Sequence, residues 1–157
     1  MRIRLTKETE TKPGSTSFLR NDGSVTWHKS TAFFAKHDLI HYAVETTLGY
    51  QEAFLGLVAG GRGLDSFGTQ NGTKDIYTDQ EIWTESIAGV CQWSSVVNDS
   101  SPNNTELLAI LAKTFDERGI SAPQISESQL SEIQMRVRDL HSLWDRVPAG
   151  ETLELEF

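Results

Sequence analysis

The sequence predicts an α+β fold in which a small antiparallel sheet packs on about five helices. Residues at both ends of the chain, 2–6 and 151–157, alternate between polar and apolar, as half-buried strands do. The middle of the chain instead carries apolar residues at helical spacing. Because a terminal strand needs a partner, we expect the C-terminal strand to pair with the N-terminal strands. The helices would then cover one face of that sheet.

The first thirty residues are predicted to supply the other strands. Asn21-Asp22-Gly23 separates Phe18-Leu19-Arg20 from Val25-Thr26-Trp27. A glycine after Asn-Asp favours a hairpin turn, because such turns need a positive φ. Lys12-Pro13-Gly14-Ser15 marks an earlier turn, between this hairpin and the first strand.

The helical region begins with a long helix and a short one. The first helix is predicted to start after Ser30 or Thr31 and to run to about Leu48, where Gly49 ends it. The second is predicted over about 51–59, before a pair of glycines. The longest loop, 62–75, follows.

Three further helices are predicted at about 78–97, 105–118 and from 126 onward, the last opening with the capping box Ser126-Glu127-Ser128-Gln129. A polar segment at 98–102 breaks the third helix, and Gly119 ends the fourth. The core face of the third helix is predicted to hold Trp83, Ile87, Val90, Cys91 and Ser94. The apolar stripe of the fifth helix comprises Leu130, Ile133, Val137, Leu140 and Trp144.

Composition predicts a single domain over 1–157 in the cytoplasm. The net charge of −8 argues against nucleic-acid binding, which needs clustered Lys and Arg. No run approaches the ~18 apolar residues that span a bilayer, and the start lacks the apolar core of a signal peptide. Cys91, the single cysteine, excludes an intrachain disulfide and a cysteine-rich zinc site. We therefore expect neither a nucleic acid nor a membrane as partner.

The strongest functional signal is the stretch His37-Asp38-Leu39-Ile40-His41-Tyr42-Ala43-Val44-Glu45 on the first helix. At about 100° per residue, His41, Glu45 and Asp38 lie within about 100° of His37 around the helix axis. Two imidazoles four residues apart can ligate one metal ion. The spacing predicts a site for zinc or another divalent metal, with His37 and His41 as ligands.

Two histidines do not complete a metal site, because zinc takes three protein ligands in catalytic sites and four in structural ones. The candidates for a third ligand are Glu52 on the second helix, His28 just before the first helix and His141 on the fifth. Glu81 and Glu85 are disfavoured, because we expect them on the face of the third helix that is turned away from its core residues.

Asp38 and Glu45 are the candidate catalytic acids. Asp38 stands where zinc peptidases of the His-Glu-x-x-His type carry their general base, although its side chain is one methylene shorter. The Cα atom of Glu45 lies ~12 Å along the helix axis from that of His37, so one ion held by both is awkward. If the site is catalytic, the predicted class is metal-assisted hydrolysis, in which an acid transfers a proton of a metal-bound water.

Two resemblances involve this helix. His37-Asp38-x-x-His41 resembles the motif of the zinc-binding scaffold protein of ubiquinone biosynthesis, which adds a Glu after eleven intervening residues. That spacing falls on Ala53, beside Glu52. Together with Asp22-Gly23-Ser24 and Phe54-x-Gly56-Leu57, the helix also resembles a group of uncharacterised bacterial proteins, which implies no particular activity.

Two other functions stay open. A His–Glu pair at this spacing is also an ordinary hydrogen bond worth a few tenths of a kcal/mol. The histidines would then be structural groups in a non-enzymatic module that uses the helix face and the 62–75 loop to bind a protein or a small molecule. A homodimer whose acidic charge serves solubility is the third possibility. The presence or absence of a third ligand separates the metal site from the module.

Overall fold

The computed structural model describes residues 1–67, 77–96 and 102–157, apart from the side chains of 93–96. The strands in these ranges are β1 (Arg2–Thr6), β2 (Gly14–Leu19), β3 (Val25–Ser30) and β4 (Thr152–Glu156). The α-helices are α1 (Ala32–Leu48), α2 (Phe54–Ala59), α3 (Asp79–Val96), α4 (Asn104–Glu117) and α5 (Glu127–Arg146). The predicted α+β class is confirmed. Most of the predicted 62–75 loop and of the 98–102 break lies outside the described residues, as do the side chain of Ser94 and its predicted core position.

The four strands form one antiparallel sheet in the order β3-β2-β1-β4. The C-terminal strand pairs with β1, so that Arg2 lies opposite Glu156 and Thr6 opposite Thr152. This confirms the predicted return of the chain to its N-terminal strands. The β2–β3 turn has Gly23 at φ 84°, the conformation that its Asn-Asp-Gly sequence predicted.

The inner face of the sheet and the helices enclose the core. Ile3, Leu5 and Phe18 are almost fully buried on the sheet side. The whole predicted stripe of α5 is buried against them and the other helices, as expected for apolar residues at helical spacing. Both α4 and α5 begin with reciprocal capping boxes, in which a side chain at the cap and one three residues later satisfy each other's backbone N–H groups.

Helix α1 has the predicted ends, and α2 starts later than predicted. Thr31 caps α1 by accepting a hydrogen bond from the Phe34 backbone, and Gly49 ends the helix at φ 69°. Helix α2 begins at Phe54 instead of near residue 51. The reason is a capping group that is distant in sequence: the Glu45 carboxylate accepts the backbone N–H groups of the first turn of α2.

Within the described part of the chain, no helix combines the length and the apolar character needed to cross a bilayer.

Gly89 lies in the middle of α3 and is exposed, and no atom lies within 4 Å of the place where its Cβ would be. Gly89→Ala is expected to raise the free energy of unfolding by about 0.5–1 kcal/mol, because alanine loses less backbone entropy in a helix. Gly49→Ala is the matched control. Its site is equally open, but its φ of 69° strains alanine, so stability should fall. Urea denaturation measures both, and a loss of stability in Gly89→Ala would contradict the expectation.

Candidate metal centre

Three side chains from two helices converge beside α1. His37 and His41 of α1 and Glu85 of α3 each offer one ligand atom, and these atoms lie within 4.8 Å of one another. The Nε2 atom of His41 is 3.1 Å from His37 Nε2 and 3.3 Å from Glu85 Oε1. His37 Nε2 is 3.8 Å from Glu85 Oε2. Two imidazoles and a carboxylate therefore surround one point, and this group could hold a metal ion.

Glu45 lies on the Nδ1 side of the His41 ring and orients it. The two side chains are 4% and 0% exposed, and Glu45 Oε1 lies 3.5 Å from His41 Nδ1, without the alignment of a hydrogen bond. A carboxylate on the far side of the ring favours a proton on Nδ1 and leaves Nε2 to face His37 and Glu85. Histidines that bind metals usually have such a partner, which fixes the ring and its tautomer.

Glu45 also joins α1 to α2. Its carboxylate oxygens accept the Leu55 N–H at 3.1 and 2.9 Å and the Gly56 N–H at 3.1 Å. The negative charge therefore sits at the N-terminus of α2, where the helix dipole favours it. This placement suits a positioning role for Glu45, behind the ligand atoms, more than the catalytic role that the sequence predicted.

His37 is held by α3 on its other ring nitrogen. Its Nδ1 lies 3.3 Å from Gln92 Nε2, about two turns beyond Glu85 on the same helix. Nε2, on the other edge of the ring, faces His41 and Glu85. Helix α3 thus supplies both a charged group to the cluster and a support for one of its histidines.

Asp38 lies on the wall of the same site. Its Oδ2 accepts a hydrogen bond from the Thr16 hydroxyl at 2.9 Å and lies 3.6 Å from His28 Nε2. Burial raises the pKa of Asp38, an effect that His28, the Thr16 hydroxyl and His41 offset only in part. A carboxyl group whose pKa is raised is better suited to proton transfer than an ordinary surface aspartate.

The cluster opens into a pocket of about 270 Å³. Its lining combines His37, Asp38, His41, Glu81 and Glu85 with the aromatic rings of Phe54, Phe67 and Tyr77. A second cavity of about 420 Å³ shares Asp38, Phe54 and Phe67 with it and reaches His28 and Lys29. Asp38 therefore stands where the two cavities meet.

Glu85 as the third member corrects the sequence analysis, which placed it on the face turned away from the core. Glu81 and Thr84 are buried, at 5% and 0% exposure, whereas Trp83 is only partly buried. The buried face of α3 is therefore rotated towards these polar residues, and Glu85 lies at its edge beside α1. The signal that could have identified it is the polar stripe of Glu81, Glu85 and Gln92, at spacings of four and seven.

The three residues proposed from sequence as third ligands lie elsewhere. His28 pairs with Asp38. The ring of His141 lies with Nε2 3.0 Å from the Lys36 carbonyl oxygen. Glu52 is exposed, and its backbone N–H donates to Gln80. The ligand group of the described residues includes none of the three.

The charges of the cluster oppose one another. Burial by itself would lower the pKa of His41, but Glu45 and Glu85 raise it to about 9. Burial and the neighbouring His41 lower the pKa of His37, and the hydrogen bond from His41 lowers that of Glu85. At neutral pH without metal, His41 is therefore charged and His37 neutral. The proton on His41 Nε2 lies where a metal ion would bind, so metal binding must release this proton.

The raised pKa of His41 predicts how stability depends on pH. The folded value of about 9 exceeds the ordinary 6.5, so the charged imidazole stabilises the fold fully below about pH 6.5. That contribution is lost as the pH rises through 9. In the presence of a chelator, the free energy of unfolding should fall from pH 7 to pH 10 more steeply in the wild type than in His41→Gln. Urea titrations at several pH values measure the two slopes, and equal slopes would refute the assignment.

Comparisons with family models, curated proteins and solved structures found no match for this chain. The site itself consists of two histidines and a carboxylate beside a pocket.

Proposed function

We propose that this protein binds one divalent cation, zinc in the first place, through His37 Nε2, His41 Nε2 and the Glu85 carboxylate. The observation that carries the proposal is the convergence of these three groups at the edge of a pocket. Two histidines and a glutamate are the protein ligands of one class of catalytic zinc sites. The carboxylate behind His41 supports the same assignment, because it prepares Nε2 as a ligand.

We further propose that the site is catalytic and that the reaction is a metal-assisted hydrolysis. Structural zinc sites are closed by four protein ligands, whereas three protein ligands leave a position for water or substrate. Here the pocket lies beside the three ligands and provides room for a small substrate or for one end of a larger one. A bound cation would supply Lewis acidity and lower the pKa of a water molecule.

Asp38 is the residue that we propose to move the proton. It lines the pocket with the ligand residues, and the Thr16 hydroxyl fixes its carboxyl group. Because burial raises its pKa, Asp38 can accept a proton from water and return it to a leaving group. His28, on the other side of the carboxyl group, offers a route for that proton towards solvent.

A non-enzymatic module is the second candidate, and one observation favours it. A charged His41 already pairs with Glu85 and is backed by Glu45, so the cluster balances its charges without a cation. In that case the two histidines would stabilise the α1–α3 contact, and the neighbouring pocket would bind a partner without chemistry.

Asp38→Asn separates metal binding from catalysis. The variant should keep its metal, because Asp38 lies outside the ligand group, and should hydrolyse ester or amide substrates about 10²–10⁴-fold more slowly than the wild type. Asp79→Asn, an exposed aspartate at the start of α3, is the matched control and should keep full activity. Metal analysis and a screen of ester, amide and phosphoester substrates measure the two properties. A metal-loaded wild type that hydrolyses none of them would contradict the catalytic role, and a wild type that takes up no metal would support the module.

A further inference from the structure

A second concave surface, the α5 groove, lies between α1, α3 and α5. It has a volume of about 960 Å³, within the range of small-molecule sites, and shares no lining residue with the metal pocket. Its α1 side carries Phe33, Lys36 and Ile40, and its α3 side carries Gly89 and Gln92. Two neighbouring rows of α5 side chains form the remaining wall.

The inner row of α5, His141 and Asp145, contacts α1. The Lys36 ammonium lies 2.8 Å from an Asp145 carboxylate oxygen, and His141 donates to the Lys36 carbonyl at 3.0 Å. The hydrogen bond from Lys36 lowers the pKa of Asp145, so this acid is ionised and its charge is already paired. These groups therefore already have partners within the protein.

The outer row of α5 has no such role. Arg138, Ser142 and Arg146 are spaced by four, so they form one ridge along the rim of the groove. Neither guanidinium makes a hydrogen bond or an ion pair with any residue in the part of the chain that the structure describes. Each offers donors in a planar fork that matches a carboxylate or a phosphate. In a chain of net charge −8, two cations on one rim that have no partner among the described residues favour the binding of an anion there.

The opposite side of the groove is open and carries one exposed aromatic residue. Phe33 is 64% exposed, although a residue with so large an apolar side chain is usually buried. Gly89 leaves the backbone of α3 bare, because no atom lies within 4 Å of its missing Cβ. A glycine in the middle of a helix is less stabilising than alanine. The open space above Gly89 is therefore better explained by ligand binding than by packing.

We propose that the α5 groove binds an organic anion that carries an apolar chain. The carboxylate or phosphate group of the ligand pairs with Arg138 and Arg146, with the Ser142 hydroxyl between them. The apolar chain lies along Phe33 and crosses the bare backbone at Gly89.

Decanoate and decyl phosphate are the probes, with decanol as the uncharged analogue of the same chain length. By titration calorimetry, one or both anions should bind at millimolar concentration or below, and decanol at least about tenfold more weakly. The stronger anion identifies the headgroup. Arg138→Gln with Arg146→Gln should weaken anion binding at least about tenfold. Lys113→Gln with Arg118→Gln removes the same charge from α4 and its C-terminal end and should change affinity less than about twofold.

Gly89→Leu tests the groove without touching its charges. The substitution fills the open space and should weaken both anions about tenfold, and it decides the question if the arginine double variant fails to fold. Circular dichroism and metal content report whether each variant keeps the wild-type structure. The proposal is overturned if neither anion binds the wild type, if decanol binds as tightly as the anions, or if correctly folded variants bind like the wild type.

Discussion

His37→Ala combined with His41→Ala is expected to abolish metal binding. After reconstitution the wild type should hold about one equivalent of zinc, iron or manganese, and the double variant should hold none. The reason is that the variant loses two of the three ligand groups, and a single exposed carboxylate on α3 does not retain a divalent ion against a chelator. Inductively coupled plasma mass spectrometry of the purified, untagged proteins measures the metal content directly.

The chain offers a matched control and an intermediate. His28→Ala combined with His141→Ala removes the other two histidines, which lie outside the ligand group, and should leave the metal content unchanged. Glu85→Gln keeps the shape of the third ligand but removes its charge, so we expect an affinity at least about tenfold lower. No metal in the wild type, even after reconstitution, would make the two histidines structural groups and end the metal hypothesis.

Glu45→Ala is expected to cause the largest loss of stability, about 3–5 kcal/mol. The carboxylate is fully buried, and its removal leaves the N–H groups of Leu55 and Gly56 without an acceptor. It also leaves a cavity and takes away one of the two carboxylates that balance the charge of His41. The first turn of α2 should fray, and the pocket wall at Phe54 should move with it.

Glu52→Ala is the control for this experiment. Glu52 lies seven residues later, is exposed, and should cost less than about 0.5 kcal/mol when replaced. Guanidinium denaturation in the presence of a chelator compares the two variants without a contribution from bound metal. If Glu45→Ala is no less stable than Glu52→Ala, the carboxylate does not cap α2 in solution.

Much of the fold could be predicted because its signals are local. Alternation fixes which face of β1 and β4 is buried, and the turn glycine Gly23 fixes the β2–β3 hairpin. The ends of α1 follow from Thr31 and Gly49 for the same reason. The start of α2 could not be predicted in this way, because its capping group comes from a different helix.

The candidate site, like the fold, could be predicted only where its signals are local in sequence. His37 and His41 lie one turn apart on one helix, so their proximity is a property of α1 alone. Glu85 joins them only through the rotation of α3 about its axis. That rotation depends on the burial of Glu81, which Arg62 pairs at 3.0 Å, and of Thr84. The predicted core residues Ile87, Val90 and Cys91 are buried, but Trp83 is only partly so. The buried face extends instead towards Thr84 and Glu81, which is why Glu85 could not be placed beside α1 from apolar spacing.

The position of β1 between β2 and β4 has a consequence for the order of folding. Thr6 pairs with Ser15 on one side and with Thr152 on the other. Closing the longer loop costs about 2–3 kcal/mol more chain entropy than closing the shorter one. The first three strands can therefore associate early, whereas β4 docks only after the intervening helices have shortened the distance. During synthesis one edge of β1 stays unpaired until β4 has been made. At this edge the nascent chain is most exposed to pairing with a wrong strand.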